Sequence, residues 1–139
     1  MAAHLEISKR EREGIVILDL KGRLVVGDAS TAVRDAITRC REENKNRIVL
    51  NLQTVDYIDS SGLGTLVICY TSLQRAGGAL KLACLNRRNI ELLVLTKLST
   101  VFEVFDNEDD AVNSFFPERE IRRFDILSFV QQQEREQEG

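Results

Sequence analysis

A chain of 139 residues is about one globular domain long, and a composition of 43% hydrophobic residues with 8 glycines is that of an ordinary folded protein, which excludes wholesale disorder. Its 19 basic and 22 acidic residues leave a net charge of -3, so there is no basic surplus for holding a phosphate backbone or an anionic lipid surface, which argues against direct nucleic-acid or membrane binding. The only histidine is His4, beside a terminus, so histidine-based catalysis and histidine metal clusters lack material.

Leu5 to Arg10 alternates weakly and Gly14 to Leu20 is a compact β-branched run, which predicts two strands joined by the charged turn Glu11-Arg12-Glu13. Asp28-Ala-Ser-Thr then offers an N-cap, and Val33, Ile37 and Cys40 mark one apolar face of a helix reaching about Asn44. Ile48 to Leu52 is short and apolar, as expected of a buried parallel strand. After it, Asp59-Ser60-Ser61-Gly62-Leu63-Gly64 leads into Leu66, Val67, Tyr70 and Leu73 at helical spacing, with Gly77-Gly78 as the stop. Ala79 to Leu85 predicts a strand, Arg88 to Leu98 a helix, Val101 to Phe105 a short strand, and Asn107 to Phe116 a last helix opened by three acids. The expected fold is α/β, a mixed and mostly parallel sheet of about five strands with four helices.

Pro117, the only proline, marks a boundary between a domain over 1–116 and a helical tail over 117–139. The tail's apolar residues, Ile121 to Val130, suit docking on the domain or on a second copy, which would make a homodimer. Cys40, Cys69 and Cys84 are an odd number at long spacings without a Cys-x-x-Cys pair, so they read as buried free thiols of a reducing cytoplasm. No signal peptide and no apolar run of membrane-spanning length is evident, and a soluble cytoplasmic protein is expected.

The densest polar cluster is Asp56-Tyr-Ile-Asp59-Ser60-Ser61-Gly62. It falls at the carboxyl end of a strand, where loops feed helix N-termini whose free amides favour an anion. A serine there can cap the helix, touch a phosphate or carry a phosphoryl group; from spacing alone, capping is the favoured account of the cluster, because these residue types cap helices most often. Gly62-Leu-Gly64 lacks the third glycine of a dinucleotide site, no Gly-Lys-Ser/Thr is present, and the serines lack the glycine pair of a nucleophile elbow. Asp19-Leu-Lys also lacks the acidic pair of a phosphoaspartate receiver.

The stretch from Ile48 to Gly64 closely resembles the phosphorylation loop of STAS-domain anti-sigma factor antagonists, and Gly77 to Leu82 and Leu98 to Phe105 are similar to that family's later strands. The resemblance covers about Leu5 to Phe116 and implies the following. The protein is no enzyme and needs no cofactor or metal of its own. It binds an anti-sigma factor that is itself a serine kinase, and thereby frees a sigma factor. The kinase phosphorylates the serine directly after the aspartate, here Ser60 with Ser61 as second choice, and a metal-dependent serine phosphatase resets it. Asp59, Ser61, Gly62, Leu63, Arg23 and Asp28 would line the partner surface, although Leu24-Val-Val-Gly27 stands where the family usually has an acid and Asp28 also reads as an N-cap. The alternative is a STAS scaffold or transport-accessory subunit that binds proteins without a phosphorylation switch.

Overall fold

The computed structural model describes residues 5–121 and, within the tail, residues 126, 129, 131 and 132. Strand β1 (Glu6–Arg12) pairs antiparallel with β2 (Ile15–Leu24). The turn between them falls on Glu13 and Gly14, at φ 52° and 82°, instead of the predicted Glu11-Arg12-Glu13. Two consecutive positive φ angles match the right-handed twist of a tight hairpin, and Gly14 adopts one without a Cβ penalty.

Helix α1 (Asp28–Glu42) leads to β3 (Arg47–Ile58), α2 (Ser60–Arg75) to β4 (Ala79–Ala83), α3 (Arg87–Leu95) to β5 (Val104–Phe105), and α4 (Glu108–Asn113) follows. The sheet order is β1-β2-β3-β4-β5, parallel from β2 onward. Because each crossover joins neighbouring strands and parallel crossovers are right-handed, α1, α2 and α3 collect on one face of the sheet. Strand alternation then divides the core. Val16, Leu18, Leu20, Ile48, Leu50 and Leu52 point to those helices, while Ile15, Ile17, Val49, Ala83 and Phe105 pack with Ala111 and Val112 of α4 on the other face.

Several boundaries differ from expectation for local physical reasons. β3 runs on from Leu52 to Ile58 because Thr54, Val55, Tyr57 and Ile58 keep pairing with β2, even though Gln53, Thr54 and Asp56 interrupt the apolar run. α3 stops at Leu95, where Lys97 takes a left-handed conformation (φ 63°), and a 3-10 turn over Leu98–Thr100 follows. The amides of Val101 and Phe102 donate back to the Leu98 carbonyl instead of to a neighbouring strand, so of the strand predicted from Val101 only Val104 and Phe105 remain as β5. α1 is capped at Gly27 with no side-chain hydrogen bond, so Asp28 is the first helical residue and not the cap. Cys40 and Cys69 are buried thiols, whereas Cys84 is half-exposed.

Past α4, Arg119 donates to Glu13 and Asn113, and Ile121 packs against the smaller core. The helical tail expected beyond Pro117 lies mostly outside the described residues; Ile126 and Phe129 are helical and half-buried.

The second face is fastened by charge. Arg10 donates to both Asp19 oxygens at 2.6 and 2.9 Å and to Glu108, and Arg12 reaches Glu108 at 2.6 Å and Asp109 at 2.8 Å, so β1 is tied to the start of α4. The Arg10 guanidinium holds the carboxyls of Asp19 and Glu108 below the usual carboxylate range. A lowered folded-state pKa stabilises above the unfolded value and is lost as pH falls through the folded one. Stability should therefore fall as pH drops below about 4, and Glu108→Gln should flatten that fall in urea unfolding measured from pH 7 to 3. An unchanged acid limb in Glu108→Gln would remove this cluster from the account.

Candidate functional site

β3 ends at Ile58, and the following residue turns strand into helix. Asp59 is extended, and its Oδ1 accepts the Gly62 N–H at 2.7 Å, satisfying one of the free amides at the start of α2. Its Oδ2 accepts the Val26 N–H at 3.1 Å, and its own amide donates to the Leu24 carbonyl at 3.2 Å. One carboxylate thus pins the N-terminus of α2 to the loop between β2 and α1. Asp59→Ala should cost about 1–2 kcal/mol in urea unfolding, and Asp59→Asn, which keeps an acceptor, should cost less. Equal stability of Asp59→Ala and wild type would show that the cap carries nothing.

Since Asp59 makes the cap, the serines are not needed for it. Ser60 and Ser61 are exposed, and neither hydroxyl has a hydrogen-bond partner among the described residues. Sequence spacing could not divide capping from other roles among these three residues; the geometry assigns the cap to Asp59 alone.

Gly62 is present for a steric reason. A Cβ there would lie 2.1 Å from the Leu24 carbonyl oxygen and 2.9 Å from its carbon, so the helix can approach β2 this closely only without a side chain. Gly64, by contrast, faces open space. Leu63 is 4% exposed and belongs to the main core, so of the six residues expected on a partner surface, Gly62 and Leu63 are buried. Their contribution is to packing. Arg23, Asp28 and Ser61 are exposed, and Asp59 is half-buried.

The same end of the sheet holds side chains that the sequence reading passed over. An open groove of about 250 Å³ between the end of β3 and α3 is lined by Tyr57, Asp59, Ser60, Arg88, Leu92 and Leu95. Leu95 is 81% exposed, and Val26, in the loop tied down by Asp59, is 69% exposed. Two guanidinium groups lie against the Tyr57 ring, Arg23 at 5.8 Å and Arg88 at 5.1 Å from its centroid. Arg88 is 28 positions from Ser60 in the chain, and the parallel crossover from β3 through α2 to β4 brings the N-terminus of α3 back beside it.

The chemistry available here is that of a recognition surface. An exposed serine hydroxyl sits at the positive end of a 16-residue helix, with apolar and cationic side chains around it. Among the described residues no group of three or more His, Cys, Asp and Glu side chains could hold a metal ion, and no helix is long and apolar enough to cross a membrane.

Comparison with known proteins agrees with this architecture. The STAS domain family pattern matches residues 6–111. The chain is similar to the anti-sigma F factor antagonist of Paenibacillus polymyxa, 31% identical over 113 residues that cover 78% of this chain and 93% of the relative. Its fold is similar to the crystal structure of an anti-sigma factor antagonist from Mycobacterium paratuberculosis, with a TM-score of 0.69 at 20% identity over 79% of this chain and 92% of that one. It is also similar to Bacillus SpoIIAA in its phosphorylated form, with a TM-score of 0.62 at 18% identity over 79% and 99% of the two chains. With its five-stranded mixed sheet, four helices and matching family pattern, the chain belongs to the STAS domain family.

Proposed function

We propose that this protein is an anti-sigma factor antagonist whose affinity for an anti-sigma factor serine kinase is switched off by phosphorylation of Ser60. The observation that carries the reading is the free, exposed Ser60 hydroxyl, placed beside a helix cap that Asp59 supplies without it. The relative in Paenibacillus polymyxa is named an anti-sigma F factor antagonist, and SpoIIAA has been solved in a phosphorylated form, which supports the assignment.

In this scheme the kinase contributes ATP, magnesium and the catalytic base. The Ser60 oxygen forms a bond to the γ-phosphorus of ATP as the bond to ADP breaks, and the hydroxyl proton passes to the kinase. The product carries about -1.5 to -2 charges at pH 7. Within the domain, the amides at the start of α2 soften this charge; at the interface it meets desolvation and repulsion, sharpened by Asp56 and Asp59. Phosphorylation therefore acts on the partner surface and leaves the fold intact, and a metal-dependent serine phosphatase restores the hydroxyl. Residues 1–116 form the regulatory module and 117–139 its tail, and the protein works in the cytoplasm.

The test is incubation with candidate anti-sigma factor kinases and ATP, followed by mass spectrometry of the tryptic peptide Ile48–Arg75. Phosphate is expected on Ser60 and absent from Ser60→Ala. Equal uptake by Ser60→Ala would overturn the site, and tight binding with no uptake by either form would favour a scaffold without a switch.

A further inference from the structure

The charges around the Ser60 groove do not cancel. The Asp59 carboxylate is occupied by two amides, and Glu91 faces Arg87 at 3.9 Å, one turn away on α3. Arg23 and Arg88 have no carboxylate in ion-pair reach among the described residues; each instead rests against Tyr57. Arg10, Arg12 and Arg119, on the opposite face, are all paired with acids. An uncompensated guanidinium, Arg88, thus lines the same groove as Ser60, with Arg23 over the same Tyr57 ring.

A guanidinium stacked on an aromatic face keeps its N–H edge free and loses little further freedom when it binds an oxyanion. Its planar fork matches two oxygens of a phosphomonoester. We propose that Arg88, oriented by Tyr57 and backed by Arg23, is a receptor for the phosphoryl group carried by Ser60, so that the phosphorylated form is held by a contact within the chain. This rests on the reading of Ser60 as the modified residue and adds a consequence: phosphorylation also withdraws Arg88 from the surface offered to a partner. Asp56 and Asp28, both exposed on neighbouring elements, oppose the phosphate, as do the compensated Asp59 and Glu91; the guanidinium contact outweighs them because it is direct and bidentate.

The test installs phosphoserine at position 60 of the full chain by genetic encoding, which makes the outcome independent of whether any kinase acts there. The phosphate is then titrated by phosphorus NMR in wild type, Arg88→Gln, Arg88→Lys and Arg34→Gln, the last removing an exposed charge on α1 outside the groove. Arg88→Gln should raise the apparent second phosphate pKa by about half a unit, with Arg88→Lys between it and wild type and Arg34→Gln unchanged. The unphosphorylated Arg88→Gln protein should melt with wild type. A shift in Arg88→Gln no larger than in Arg34→Gln overturns the proposal, whereas failure of kinases to label Ser60 would count only against the switch itself.

Discussion

Gly62→Ala is expected to destabilise the domain by at least about 3 kcal/mol, because the new Cβ would meet a backbone carbonyl at 2.1 Å. Alanine is otherwise the better helix former, by roughly 1 kcal/mol, so local propensity and tertiary contact pull in opposite directions at this position. The contact prevails. Its obstacle is the Leu24 main chain, which is held by pairing with Ile58 and cannot rotate away like the end of a side chain. The displaced helix would also stretch the bond from the Gly62 amide to Asp59. Gly64→Ala supplies the comparison, since the same substitution two residues on enters open space and should be neutral or stabilising by up to about 1 kcal/mol. Thermal melts of the two variants should therefore move apart by roughly 10 °C or more. If both melted with wild type, the close approach of α2 to β2 would be wrong, and with it the position of Ser60.

Ser60→Asp is expected to do the reverse, leaving the fold alone while weakening partner binding. Ser60 is exposed and makes no side-chain hydrogen bond, and an acid in the first turn of a helix is favourable by about 0.3–1 kcal/mol, so melting should hold or rise slightly. At an interface the same carboxylate has to shed water beside Asp59 and Asp56. A loss of at least about 100-fold in affinity for an anti-sigma factor kinase, or roughly 2.7 kcal/mol, is the expected result. Aspartate carries one charge where phosphoserine carries nearly two, so it should be the weaker of the two modifications. Should Ser60→Asp instead unfold the domain, the serine would be structural.

What could be read from the sequence and what could not follows the range of the interactions involved. Asp59-Ser-Ser-Gly announces a helix start through side chains that act on amides two or three residues away, and the structure keeps the element there. The order of strands and helices was legible for the same reason, since each apolar run or stripe reflects its own contact with one core. The division of labour within the cluster was not, because Asp, Ser and Gly all suit a cap; only the two bonds of the Asp59 carboxylate separate them. Leu63 looked like part of an exposed motif, yet the helix turns it inward among Leu24, Ile58 and Leu66. The length of β3 was hidden because Gln53, Thr54 and Asp56 are strand residues on an exposed edge of the alternation. Arg88 and Tyr57 carry no local signal of their relation at all. They stand 31 positions apart, and their juxtaposition comes from the right-handed crossover through α2 to β4, which returns one helix N-terminus beside another.

The central claim is that a phosphoryl group on Ser60 controls association without altering the domain. The measurement closest to it is a calorimetric titration of the full chain, with serine or encoded phosphoserine at position 60, into the anti-sigma factor kinase that binds the unmodified protein. Circular dichroism should be superimposable for the two forms and the phosphorylated one should melt no lower, while affinity falls by at least about 100-fold in the phosphorylated one. Affinities within a factor of about two, with both forms folded, would contradict the account.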